Sequence, residues 1–188
     1  MRRKIIKKQH TRYFLAVEGE GEQSFVKWLG NLSKEQGLHI HLDCYPLDGG
    51  GYKAMLNKAI RERKRKERYK AKFSILLVDS DRAERGDDSW SLEQLKQIAS
   101  KNNINVCVQN PNLEGWLLRL MPGKEIVQLN GSSPQAKLRK EWPNYRKPAD
   151  AQTLAGKYTL ADLFRVAGVD AELKELLTMI GLISKTKK

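Results

Sequence analysis

Hydrophobic positions in the first 120 residues alternate between two rhythms. Residues 12–18 (RYFLAVE) form an aromatic and apolar run too short for a buried helix, so they predict a strand. Residues 22–36 place Phe25, Trp28, Leu29 and Leu32 at helical spacing, and Gly37 supplies a stop. HIHLDCYPL, residues 39–47, alternates as a strand does. The Gly49-Gly50-Gly51 loop follows, then a long helix over about 52–71. KFSILLVDSD, residues 72–81, carries the run Ile75–Val78, the pattern of a strand buried on both faces of a parallel sheet. A short helix over 90–101 and a strand over 103–109 (NINVCVQ) come next. Asn110 as N-cap and Pro111 at the first helical position then open a helix reaching about Leu120.

This alternation predicts an α/β fold, with about four mostly parallel strands flanked by helices over residues 1–120. Residues 121–188 read as helix throughout, broken at Pro122-Gly123, Gly131–Pro134, Pro143, Pro148 and Gly168. They predict a helical extension packed on the same domain, with a frayed SKTKK tail.

At 188 residues the chain suits one domain with a real core. No apolar run approaches the roughly 20 residues that span a bilayer. The basic start, MRRKIIKKQHTR, lacks the apolar core and cleavage site of a signal peptide, so a cytoplasmic protein is expected. Cys44 and Cys107 sit far apart inside predicted strands and read as buried free thiols. His10, His39 and His41 include no helical metal-binding pair.

Charge changes the picture. The formal net charge is +13, which predicts attraction to a polyanion. Residues 61–72 (RERKRKERYKAK) hold eight basic residues in twelve, and Glu62 and Glu67 cannot neutralise them. Arg61, Arg63, Lys64, Arg65, Lys66 and Arg68 are therefore candidate nucleic-acid contacts, against the alternative of a solvated face with local ion pairs. The segment has no broad apolar face, which disfavours a membrane surface.

Within this basic chain, acids collect at strand ends. Glu18 ends the first strand, Asp79-Ser80-Asp81 the third, and Glu114 follows the fourth. In open α/β sheets the site lies beyond the carboxyl ends of the strands. Strand alternation puts Asp79 and Asp81 on one side. Glu22, four residues after Glu18, comes back over the site from the first turn of a helix. Glu20 faces water, Asp87-Asp88 reads as loop polarity, and Gly19 and Gly21 permit a tight turn at the sheet edge. If the strands of Glu18 and Asp79 are neighbours, these acids converge, and a divalent cation relieves their repulsion. Oxygen-only ligands suit Mg²⁺ or Mn²⁺, and such ions serve phosphodiester displacement.

Glu18-Gly19 after an apolar strand, followed some sixty residues later by Val78-Asp79-Ser80-Asp81, resembles the Toprim domain of topoisomerases, primases, OLD-family nucleases and RloB-like defence proteins. EGEGE (Glu18–Glu22) is similar to the EGxxE of the OLD branch. NPNLEGWLL (Asn110–Leu118) is similar to the Asn-Pro-x-x-Glu-x-Trp-Leu-Leu stretch of RloB-like proteins. The chain departs from the RloB-like pattern by placing Glu22 one residue closer to Glu18, after Gly21. The resemblance covers roughly residues 12–120. It implies a Mg²⁺- or Mn²⁺-dependent Toprim fold. Glu18 is then general acid/base or metal ligand, Asp79 and Asp81 are ligands, and Glu22 and Glu114 are further ligands of a two-metal site. It also implies a late catalytic lysine. Lys157 is the candidate, beside its reading as a plain surface lysine.

The expected function is a nuclease cutting DNA or RNA, a phage-defence effector. An ABC-type ATPase partner is implied by resemblance alone, and an oligomer is compatible with the pattern. The rival is a Toprim module or adaptor that binds nucleic acid without catalysis. Length argues against a topoisomerase.

Overall fold

The computed structural model describes residues 10–66, 70–81, 89–129 and 133–184. Arg68, Glu67, Asp87, Asp88, the first nine residues and the last four lie outside this set. The strands are β1 (Thr11–Val17), β2 (Ile40–Pro46), β3 (Ser74–Asp79) and β4 (Asn105–Gln109). The helices are α1 (Glu20–Glu35), α2 (Tyr52–Lys66), α3 (Leu92–Lys101), α4 (Leu113–Arg119), α5 (Pro134–Glu141), α6 (Ala151–Lys157), α7 (Leu160–Ala167) and α8 (Ala171–Met179). The sheet runs β2-β1-β3-β4 and every pairing is parallel. The α/β expectation holds.

Side-chain alternation divides the core in two. Tyr13, Leu15 and Val17 of β1 join Ile75 and Leu77 of β3 on one face. Phe14, Ala16, Leu76 and Val78 point to the other. Both central strands are therefore apolar on both faces, as the run Ile75–Val78 predicts. The first face is covered by α1, through Phe25, Trp28, Leu29 and Leu32, and by α4 and the C-terminal helices. Leu138, Leu154, Leu163, Leu173 and Leu177 of α5–α8 belong to that same cluster. The segment after residue 120 thus completes the main core and does not form one of its own. The second face is covered by α2 and α3 through Met55, Leu56, Ala59, Leu95 and Ala99.

The β4 edge is closed by α8. Val108 N donates to Glu172 Oε2 at 3.0 Å, a side chain taking the place of a fifth strand. Both cysteines are free; Cys107 is buried, whereas Cys44 is only half-buried because β2 is an edge strand. No described helix is long and apolar enough to cross a membrane.

One boundary differs from expectation. Asn112, not Asn110, caps α4, its side chain accepting from Gly115 N at 3.1 Å. The Asn110-Pro111 bond is cis and lies in the preceding loop. That leaves the Asn110 carbonyl free to accept from Arg119 Nη1.

Candidate metal centre

From β1 the chain crosses to β2 on one side and later to β3 on the other, so the order reverses between β1 and β3. A crevice opens at such a switch point, outside the strand carboxyl ends. Register pairs Val17 with Leu77, so Glu18 and Asp79 end their strands within one residue of the same level on neighbouring strands. The condition on which convergence of the acids depended is met. The Glu18 carbonyl accepts from Gly49 N at 3.0 Å. Gly49 (φ 71°) and Gly50 (φ 96°) are in the left-handed region, where glycine alone is unstrained.

Glu22 lies in the first turn of α1 and is 7% exposed. Its Oε2 accepts from Gly19 N at 3.0 Å, so it caps its own helix. Gly19 has φ −155°, an extended conformation open to any residue, so no tight glycine turn is needed there. Gly21 matters for another reason: a Cβ on it would meet Leu113 Cδ2 at 3.1 Å, so its absence lets α1 close on α4.

β3 ends at Asp79, and the loop after it is stitched to the loop before α4. Ser80 N donates to Gln109 O at 2.9 Å, Asp81 N to Pro111 O at 3.1 Å, and Asn112 Nδ2 to Asp81 Oδ2 at 3.1 Å. Asp81 is therefore placed by this loop, and strand alternation does not set its direction. Tyr52, from α2, donates its hydroxyl to Asp79 O at 2.7 Å and holds the strand end from the other face.

Glu114, in the first turn of α4, is 1% exposed. Tyr145 donates its hydroxyl to Glu114 Oε1 at 3.1 Å, and Lys147 Nζ lies 2.8 Å from the same oxygen. Beside it, Gly115 is required: a Cβ there would meet Pro111 Cδ at 2.8 Å. Lys147 is the lysine that reaches the acids. Lys157 ends α6 at the surface, its amine 5.6 Å from the centre of the Trp142 ring. Trp142 and Tyr145 pack on each other at 5.3 Å and on the core side, so they are structural aromatics.

Electrostatics ties the set together. Burial, and then the charges of Glu22, Glu18, Asp81 and Glu114 in that order, push the Asp79 carboxyl up to about 9. The other four predicted acids therefore all act on Asp79. Burial raises Glu22 as well, with Glu18 adding to the effect and Lys147 opposing it. Partial burial pulls the Lys147 amine down, but the hydrogen bond to Glu114 and the charges of Glu114, Glu22 and Asp79 outweigh it, and the net shift is upward.

Among the described residues, no three acid, histidine or cysteine side chains are gathered into a ready-made ligand set. Three of the acids also take protein donors: Glu22 from Gly19, Asp81 from Asn112, and Glu114 from Tyr145 and Lys147. The residues still fit a hard divalent cation. Their donors are all oxygens, and Asp79 Oδ1 is buried without a hydrogen-bond partner.

No family model, curated protein or solved structure compared with this chain matches it.

The basic run lies elsewhere. α2 starts beside Asp79, through Tyr52, and in its last turn Arg63 Nε donates to Ser74 Oγ at 3.0 Å. Eleven helical residues separate those two points by about 16 Å. Arg61 and Arg65 lie 3.6 and 3.1 Å from Glu62, which is 3% exposed. Part of the run thus neutralises a buried acid, as the local-pairing alternative holds, while Lys64 is exposed. A cavity of about 550 Å³ opens at this same end, lined by Arg63, Lys72, Ser74, Lys96, Asn103 and Asn105.

Proposed function

We propose that this protein is a divalent-cation-dependent phosphodiesterase acting on nucleic acid, a nuclease with Toprim-like chemistry. The observation that carries the reading is the adjacency of β1 and β3. It brings Glu18, Glu22, Asp81 and Glu114 close enough to act on Asp79 at the switch point of a parallel sheet.

Glu18, Asp79 and Asp81 would hold the cation, with Glu22 and Glu114 completing the set once released from their protein partners. Bound Mg²⁺ or Mn²⁺ supplies water activation and neutralises the charge that builds on the phosphodiester. The chain's own residues do the rest. Tyr52 and the Ser80–Pro111 stitching fix where Asp79 and Asp81 stand. Glu18, on the chain after a buried strand, serves as ligand or as general acid/base. Lys147, 53% exposed at its side chain, swings from Glu114 to meet the substrate phosphate. It therefore takes the role first assigned to Lys157. The nucleic acid reaches the basic end of α2 about 16 Å away, roughly five nucleotide steps along a strand at 3.4 Å each.

Plasmid, single-stranded DNA and tRNA incubated with the protein and Mg²⁺ or Mn²⁺ test this reading. Cleavage is expected in at least one, lost with chelator and lost in Glu18→Gln. Binding without cleavage, equal in both proteins, would contradict it. The same assay separates the lysines. Removing a group that stabilises transition-state charge costs about 10²–10³ in kcat. Lys147→Met is expected to show that loss, and Lys157→Met to stay within about two-fold.

The non-catalytic reading draws on one specific feature, the ion pair of Lys147 with Glu114, which neutralises one of the acids with a side chain of the protein itself. Under it Lys147→Met changes nucleic-acid affinity, and no cation response appears.

For binding, Lys64→Gln with Lys66→Gln leaves Glu62 and Ser74 their arginine partners. Each phosphate contact contributes about 0.9 to the slope of log affinity against log salt. The double variant is expected to lower that slope by up to about 2. An unchanged slope would remove this end of α2 from the contact surface.

A further inference from the structure

Gln109 ends β4 and is 0% exposed, yet neither its carboxamide oxygen nor its carboxamide nitrogen has a hydrogen-bond partner. A buried amide left unpaired weighs against folding. Its backbone does not account for its presence, since any residue could supply the carbonyl that accepts from Ser80 N. A nonpolar residue of equal size would serve the core better.

Its place supplies the reason. Register pairs Gln109 with Asp79. Two residues earlier on each strand, Cys107 and Leu77 lie in the core cluster on the α1 and α4 face. Alternation carries the side chains of Asp79 and Gln109 onto that same face. Neighbouring strands lie about 4.8 Å apart. Asp79 Oδ1 is also buried without a partner. Two unsatisfied polar groups therefore stand side by side at the acid centre, on the side where Glu22 and Glu114 enter from α1 and α4.

We propose that Gln109 is a positioning residue for a divalent cation held by Asp79. With the cation bound, its amide N–H would donate to Asp79 Oδ1 and fix the carboxylate's direction. Its amide oxygen would accept from a water in the cation's hydration shell. The proposal rests on the metal-centre reading above and adds a residue to it. A carboxamide suits the task because it offers donor and acceptor together. It is also neutral, so it adds nothing to the repulsion among five carboxylates. Mg²⁺ keeps several of its waters, and each needs an acceptor. Loss of such an outer partner typically lowers metal affinity about 10–100-fold.

The test uses the full chain with Gln109→Leu and Gln109→Met, two substitutions of similar volume. Mg²⁺ affinity is measured by calorimetric titration, and thermal unfolding is followed in chelator. Both variants are expected to unfold in chelator at or above the wild-type temperature and to bind Mg²⁺ about 10–100-fold more weakly. Wild-type affinity in a variant of wild-type stability would overturn the role of Gln109 and leave the metal centre standing. Lower stability of both variants in chelator would also overturn it, because the carboxamide would then serve the fold. A wild-type protein that binds no Mg²⁺ would bring down the metal-centre reading and this proposal together.

Discussion

Asp79→Asn is expected to make the cation-free protein more stable while removing its response to divalent cations. Burial and four neighbouring acids push the Asp79 carboxyl up to about 9, whereas in the unfolded chain an aspartate titrates near 3.9. Between those values the folded protein holds a proton that the unfolded chain releases. Stability from this group is therefore fully present below about pH 4. It declines as pH rises and is lost by about pH 9. Asparagine removes the dependence. At pH 8 in chelator the gain is several kcal/mol, because about four pK units separate pH 8 from the unfolded value at about 1.4 kcal/mol each, and it is read as a rise in Tm. Melting curves across pH, with and without Mg²⁺, check both halves. Wild type should regain stability with Mg²⁺, most strongly at high pH, and the variant should not. A variant that melts lower in chelator, or still responds to Mg²⁺, would contradict the account.

Trp116→Ala is expected to be the most damaging single core change near the site. The ring is 0% exposed and lies 5.9 Å from Phe25 of α1, and its Nε1 donates to Asp170 Oδ2 at 3.1 Å. It thus joins α4, which carries Glu114, to α1, which carries Glu22, and to the cap of α8. Removing a buried tryptophan costs about 3–5 kcal/mol, a fall of roughly 6–20 °C in Tm. The loosened helices should weaken Mg²⁺ binding as well. Thermal melts of the two proteins, with Mg²⁺ titrations below the lower transition, provide the check. A loss under 1 kcal/mol would mean that α4 is held by something else.

The sheet was legible because its strands are written as apolar runs. Ile75–Val78 has no polar face, and only a central parallel strand can bury such a run. The acids were legible because they sit where those runs stop. The order β2-β1-β3-β4 was not, since periodicity says which segments are strands and not which are neighbours. Lys147 was hard to find as a site residue because residues 143–148 carry no periodic pattern, and only folding brings the loop onto Glu114. Lys157 stood out in sequence, beside Gly156 and Tyr158, but its helix turns it outward onto Trp142. Gln109 carries no charge, and its meaning appears only with Asp79 in register beside it.

The position of the basic run follows from topology. A helix between two parallel strands must return to the sheet's other end, so the last turns of α2 had to lie far from the carboxyl ends. Charge composition gave the attraction to a polyanion without giving its place. The same limit applied to Glu62, which is buried and pairs with Arg61 and Arg65, two side chains that stay exposed.

The central claim is that acids at the β1–β3 switch point form a divalent-cation site. Equilibrium Mn²⁺ binding, followed by the loss of the free-ion electron paramagnetic resonance signal, tests it most directly. Wild type is expected to remove Mn²⁺ from solution saturably, with Mg²⁺ competing, and Asp79→Asn to remove none under the same conditions. Equal Mn²⁺ binding by the two proteins, or none by the wild type, would contradict it.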